Sequence, residues 1–305
     1  MVAIVSRNVK GHEYLYLVES IRSGKKVIQK NVKYIGKKRP VREEEFECMK
    51  FSHEKRDWVL NEFNDSLSYQ DHNQMRLASK KNKEYLSSLD SVSKEKEREI
   101  FLSKMIANTN AIEGSTMTQE ETFRYLFDDT APKGHSKKEL HMAENLLKAW
   151  DYVEQNFKRF PSKEDILHLH SLVNRDIEDS STIGKYKKVQ NYVGGMYTSS
   201  YLFVEERMSM LLKWIKKAYK EVNDFEVAFQ SHAQFEIIHP FVDGNGRVGR
   251  LLLNWLLMHK GLSPLIIRNS KRDGYILCLN FARRSDLRRI SEFCFNEYLE
   301  NYKFV

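Results

Sequence analysis

The chain reads as mainly α-helical, with a short β meander at its N-terminus and a small β-hairpin flap within the helical part. Three observations predict this. Only 13 Gly and 5 Pro stand among 305 residues, few enough to leave long helices uninterrupted. From Ser93 onward apolar residues recur at three- and four-residue spacing, whereas near the N-terminus they alternate. With 41% hydrophobic and 12% aromatic residues the chain can bury a core and is not a disordered polymer.

Taken in order, residues 1–40 form a basic β module: Val2 to Arg7, Tyr14 to Ile21 and Val27 to Ile35 are β-rich, the last two joined across Ser23-Gly24. Residues 1–42 carry eleven Lys or Arg against Glu13 and Glu19, so the whole net charge of +8 resides there. Such a piece can bind nucleic acid through its phosphates, with Tyr14, Tyr16 and Tyr34 free to stack where exposed. The plainer alternative is that the charges keep an edge strand soluble and unpaired. Residues 41–100, rich in Glu, Lys and Ser, read as a helical connector, and residues 101–305 as the main domain.

Ser93 to Ile112 predicts a helix that Gly114 ends. Glu113 then sits at a helix C-terminus, an unfavourable place for a carboxylate, and gains from a cationic partner. An ordinary solvated glutamate is the alternative. Thr118-Gln119-Glu120-Glu121 has capping-box spacing. Leu140 to Phe157, Lys163 to Val173 and Arg207 to Val222 are amphipathic, and Phe225 to Ile238 reads as buried. His168, His170 and His232 lie on these helices and read as packing residues. Between them, residues 184–195 shift to short alternation and end in Gly194-Gly195, which predicts the hairpin, its edge available to an extended partner segment.

The most informative run is His239-Pro240-Phe241-Val242-Asp243-Gly244-Asn245-Gly246-Arg247-Val248-Gly249-Arg250. Gly244-Asn245-Gly246 permits a tight turn whose amides open the apolar helix from Val248 to Met258, and a helix N-terminus of that kind binds anions. Arg247 and Arg250 are three apart and share a helix face from which both can reach a polyphosphate. Asp243 is a hard oxygen ligand of the kind Mg²⁺ prefers, and His239 is a proton acceptor at neutral pH. Taken singly each has a structural alternative: a packed histidine, a capping aspartate, a solvated arginine face. Together they read as a phosphate-handling site.

This run resembles the signature of Fic-domain proteins, H-P-F-x-D-G-N-G-R-x-x-R with Asp or Glu at the fifth position, and every fixed position is filled. The resemblance implies a Fic-type helical core and a protein adenylyltransferase that moves AMP from ATP to a Ser, Thr or Tyr hydroxyl of a target protein. It implies His239 as the base, Asp243 as the Mg²⁺ ligand, Gly244, Asn245 and Gly246 as the anion hole, and Arg247 and Arg250 as grips on the triphosphate. Thr109-Asn110-Ala111-Ile112-Glu113-Gly114 is similar to the family's inhibitory motif, in the class where it precedes the core. Thr109, Glu113 and Gly114 then form the brake, Glu113 pairing with Arg250. Val193, Gly194 and Gly195 correspond to the flap, where Lys187 replaces the more usual Arg, and Tyr275 falls near the nucleotide base. Arg283 stands close to where some relatives carry Asn. Two alternatives stay open: removal of AMP by the same site, and a nucleic-acid-binding protein whose Fic loop senses nucleotide.

The longest apolar stretch, Leu251 to Met258, is far too short to span a bilayer, so no membrane is expected. No signal-peptide pattern opens the chain. Cys48, Cys278 and Cys294 are odd in number and lack metal spacing, which points to free thiols in a reducing, cytoplasmic setting. Whether the protein forms a homo-oligomer is open at this level.

Overall fold

The computed structural model describes residues 1–23, 26–54, 63–193 and 196–303. The alternating N-terminal segments form an antiparallel meander of β1 (Val2–Val9), β2 (His12–Ser23) and β3 (Lys26–Lys37), each longer than the alternation alone marks. Lys10 and Gly11, both at positive φ, make the first turn, and the Gly11 N–H donates to Asn8 Oδ1. Gly24, expected in the second turn, lies outside the described residues. One sheet face buries Leu15, Leu17 and Ile35 against Met49 of α1 (Glu43–Glu54) and against Phe203.

Helix α2 (Tyr69–Ser88) starts on a Ser68–Asp71 capping box, and α3 (Ser91–Ile112) on Asp90. Helix α3 is continuous across residue 100, so the expected connector runs into the main domain without a break. Buried Glu226 ties the start of α2 to the core: its carboxylate accepts the N–H groups of Ser66 and Leu67 and the Ser291 hydroxyl. Helices α4 (Gln119–Phe127), α5 (Lys137–Asn156) and α6 (Lys163–Val173) each open on a capping box, at Thr118, Ser136 and Ser162.

A two-residue pair, β4 (Tyr192–Val193) and β5 (Met196–Tyr197), precedes α7 (Val204–Ala218). Helix α8 (Asp224–Ile238) is buried on every side, as expected of a helix without a polar face. It packs against α7, α9 (Asn245–His259), α10 (Arg272–Ala282) and α11 (Arg288–Asn301). Phe225, Phe229, Phe235, Leu252 and Trp255 fill the space between them. The central pair α8–α9 thus fixes the loop joining them from both ends. No helix of the described residues is long and apolar enough to cross a membrane.

Candidate functional site

The loop between α8 and α9 begins with strain. His239 closes α8 in the left-handed region, φ 51° and ψ 64°, its N–H bonded to Phe235 O. A non-glycine residue held there costs about 1–3 kcal/mol, and surrounding contacts must impose it. Phe241, fully buried, stacks on His170 at 3.8 Å between centroids. The Asn245 side chain accepts from Phe241 N at 2.9 Å and donates to Phe241 O at 3.0 Å. That amide therefore shapes the turn, and what Asn245 can offer an anion is its backbone N–H. Gly244 sits at φ 72°, and a Cβ there would overlap the Asn174 side chain. Helix α9 has no side-chain cap, and a helix N-terminus open in that way can take an anion.

The two arginines diverge. Arg247 donates to Val173 O at 3.2 Å and Asn174 Oδ1 at 2.8 Å, both at the end of α6. Its terminal nitrogens brace the loop from beneath, which corrects the expectation of two grips on one face: a turn of α9 separates their neighbours. Arg250 reaches the opposite way, to Glu113 Oε1 at 2.7 Å and Thr109 O at 3.1 Å on α3. Burial alone would lower the Arg250 pKa, but the Glu113 charge outweighs it and holds the guanidinium firmly protonated. The end of α3 is itself fixed, because Arg272 donates to Ile112 O at 2.9 Å and Gly114 turns the chain at φ 97°. A Cβ at Gly246 would overlap Glu113 Oε1. The carboxylate thus lies over the N-terminus of α9 as well as on Arg250. Tyr275, expected beside a nucleotide base, is instead 1% exposed. Its hydroxyl lies 2.6 Å from His232 Nε2 and 3.5 Å from Arg250, so it backs the guanidinium.

Glu236 is the residue that sequence reasoning missed. It is buried, and Oε2 lies 3.7 Å from His239 Nδ1, an electrostatic contact too long for a hydrogen bond. Burial would raise its pKa, yet His239, His232 and Arg250 outweigh that and depress it to about 2. The signal was the i, i+3 spacing to His239 on one helix face. Gly249 makes room for it, since a Cβ there would come within 2.6 Å of Glu236 Oε1. With Nδ1 toward Glu236, the imidazole has Nε2 on its far edge. Asp243 is exposed, with one oxygen accepting from Gly244 N at 2.7 Å. Glu178 was missed too: burial and then the Asp243 charge raise its pKa. Two neighbouring carboxylates at the mouth of an anion site fit a hard divalent cation.

The expected hairpin is shorter than residues 184–195, with Val193 in its first strand and Gly194 and Gly195 outside the described residues. Residues 184–191 are turns that fasten it to the loop. Gly184 N–H donates to His170 Nδ1, Lys187 N–H to Pro240 O, and Asn191 Nδ2 to Phe241 O. The Lys187 ammonium is buried against Asn191 Oδ1 at 2.6 Å and Thr198 Oγ1 at 2.9 Å, and burial pushes its pKa down to about 7. Lys187 is thus a strut inside the flap base and not an exposed charge.

Residues 160–257 match the model of the Fic/DOC family. The chain carries a Fic domain. It is 32% identical over 192 residues to a protein adenylyltransferase Fic of Nematostella vectensis, covering 62% of this chain and 45% of that protein. A protein adenylyltransferase Fic of Drosophila ananassae is 32% identical over 203 residues, covering 65% and 41%. The chain therefore spans less than half the length of these relatives. Among solved structures, Fic-1 (residues 134–508) of C. elegans superposes with a TM-score of 0.67 at 24% identity, over 76% of this chain and 71% of that one. A Fic-domain signalling protein of Bacteroides thetaiotaomicron gives 0.68 at 20%, over 76% and 95%. Glu113 lies outside the segment matched by the family model, so α3 brings the carboxylate into the Fic loop from upstream.

Proposed function

We propose that this Fic domain transfers AMP from ATP to a Ser, Thr or Tyr hydroxyl of a target protein, and that Glu113 holds it inactive at rest. The observation that carries the reading is the Glu113 carboxylate on Arg250 and over Gly246, an anion already seated where a nucleotide's phosphates would go. In the active form Arg250 and the N–H groups of Asn245, Gly246 and Arg247 bind the polyphosphate. His239 Nε2 takes the acceptor hydroxyl's proton as the oxygen bonds to the α-phosphorus, and the bond from that phosphorus to the pyrophosphate oxygen breaks. Pyrophosphate leaves, and the product is a phosphodiester. Asp243, helped by Glu178, would hold Mg²⁺, which neutralises phosphate charge. The flap lays the target segment beside His239 by backbone hydrogen bonds. Buried Cys48 and Cys294, both unpaired, fit a reducing cytoplasmic setting.

The test is incorporation of labelled AMP by Glu113→Gly, abolished when His239→Ala is added, with mass spectrometry locating the modified hydroxyl. Absence of transfer from any nucleoside triphosphate would remove the reading. A second reading, hydrolytic removal of AMP, rests on Glu113 Oε2. That oxygen has no hydrogen-bond partner among the described residues and the side chain is one-third exposed, so it can hold a water. Release of AMP from the modified target by the unmutated protein, but not by Glu113→Gly, would establish it.

A further inference from the structure

The N-terminal sheet takes no part in that chemistry, and its free face is built of unusual residues for a surface. Leu15, Leu17 and Ile35 turn toward α1, so alternation sends Tyr14, Tyr16 and Tyr34 to the other side. Pairing aligns them in two rows: Arg7, Tyr14 and Lys37 across the three strands, then Val5, Tyr16 and Tyr34. The Tyr34 ring lies 5.9 Å from that of Tyr14 and 5.4 Å from that of Tyr16, and the Arg7 guanidinium sits 5.3 Å over Tyr16. Tyr34 is 53% exposed, and none of the three hydroxyls makes a hydrogen bond among the described residues.

The charges divide in the same way. Lys33, Lys38 and Arg39 pair with Glu206, Glu13 and Glu45, whereas Arg7, Lys10, Arg22, Lys26 and Lys37 form no ion pair among the described residues. Charge that only protects an edge needs no aromatic cluster at the middle of the sheet, where Tyr14 and Tyr16 stand on the central strand. We propose that the outer face of β1–β3 binds single-stranded nucleic acid. Bases stack on Tyr34, Tyr14 and Tyr16, and Arg7, Lys37 and the neighbouring lysines take the phosphates. A single strand fits better than a duplex, because stacking needs unpaired bases and a sheet face without a protruding helix does not enter a groove. The proposal is independent of the Fic chemistry.

The experiment is fluorescence anisotropy of the full chain with a labelled 20-mer single strand, the matching duplex, heparin and vesicles of anionic lipid, across a salt series. The single strand is expected to bind best and to weaken with salt, since each phosphate contact releases counterions. Tyr34→Ala with Tyr14→Ala leaves charge unchanged and is expected to weaken binding about ten-fold or more, as lost base stacking does. Tyr34→Phe keeps the ring and is expected to bind as the natural chain does. Lys37→Glu is expected to flatten the salt dependence. Equal affinity of the double alanine variant would reduce the face to a plain polyanion attractor and overturn the proposal. So would tighter binding to duplex or vesicles, or loss of binding in Tyr34→Phe. Unchanged AMP transfer in the Glu113→Gly background would show that the alanine variants are folded.

Discussion

Removing the Glu113 carboxylate should switch the enzyme on and make it less stable at once. The pair to Arg250 spans 2.7 Å, with the arginine side chain 5% exposed and the glutamate 33%. It therefore falls between a surface pair, worth at most about 1 kcal/mol, and a buried pair whose rupture costs about 3–5 kcal/mol. A value of about 2 kcal/mol follows, and any phosphate that takes Arg250 must overcome it, which is roughly thirty-fold in the productive population. Glu113→Gly is expected to raise the initial rate of labelled AMP incorporation by about that factor at low ATP. The same 2 kcal/mol, at about 2–4 °C per kcal/mol for a domain of this size, should lower the melting temperature by roughly 4–8 °C. ATP should restore more of it in the variant than in the parent, because a phosphate replaces the lost carboxylate. Glu113→Gln keeps the bulk over Gly246 without the charge, so its rate should lie between the two. A Glu113→Gly rate within two-fold of the parent across the ATP titration, with the melting temperature still lowered, would refute the argument and leave the pair a structural strut.

Three further predictions come from the neighbouring groups. Glu236→Gln keeps the shape beside His239 but removes the carboxylate 3.7 Å from its Nδ1, so in the Glu113→Gly background kcat should fall about ten- to a hundred-fold with KM little changed. An unaltered kcat would make Glu236 a packing residue. Gly249→Ala places a Cβ 2.6 Å from Glu236 Oε1 and 3.0 Å from His232 Nδ1, and is expected to cost about 1–3 kcal/mol in urea unfolding and to lower the rate by displacing Glu236. Stability should also depend on acid. Burial depresses His170 and His232 to about 4, below the ordinary value near 6.5, so the folded chain binds fewer protons than the unfolded one between those limits. The share of these two imidazoles in the free energy of unfolding should be level above pH 6.5. It should then fall as the pH drops toward 4, by up to about 1.4 kcal/mol per pH unit for each histidine, and His170→Asn should flatten its share. A flat profile from pH 7 to 5 would show that neither imidazole is held neutral.

The parts of the site written in adjacent residues were legible before any coordinates. The loop from His239 to Arg250 needs no distant partner to be read, and neither does the helix end at Ile112 and Gly114, since caps and glycines act locally. What the sequence hid depends on which elements meet. Arg247 and Arg250 look equivalent by spacing, and only the positions of α6 below and α3 beside α9 send one to Asn174 and the other to Glu113. Tyr275, which the resemblance places near a nucleotide base, is covered by α8 and α9 and backs Arg250 instead. Lys187 stood out only as a Lys where the family more often has Arg, and the strut it makes with Asn191 and Thr198 has no counterpart in spacing. Glu236 was overlooked because it is one of several polar residues in a helix buried throughout, so its i, i+3 spacing to His239 did not stand out.

With Glu113 as the brake we propose, the resting state follows from electrostatics more than from shape. Arg250 and the open N-terminus of α9 put positive charge around one space, with Arg247 braced beneath, and in a poorly solvated setting those charges repel one another unless an anion lies between them. Burial pulls the Arg247 pKa down, whereas at Arg250 neighbouring acids, Glu113 foremost, outweigh the same penalty. The carboxylate at the end of α3 is unfavourable where it starts, against its own helix dipole, and favourable where it ends, against another. Two local disadvantages thus cancel in one contact. A nucleotide that carries more charge than a carboxylate can replace it, and by reciprocity whatever loosens α3 from Arg250 must tighten the phosphate by the same factor. Autoinhibition and nucleotide affinity are then two readings of a single free energy. Measuring ATP affinity and α3 protection from hydrogen exchange in the same Glu113 variants should therefore give matching ratios.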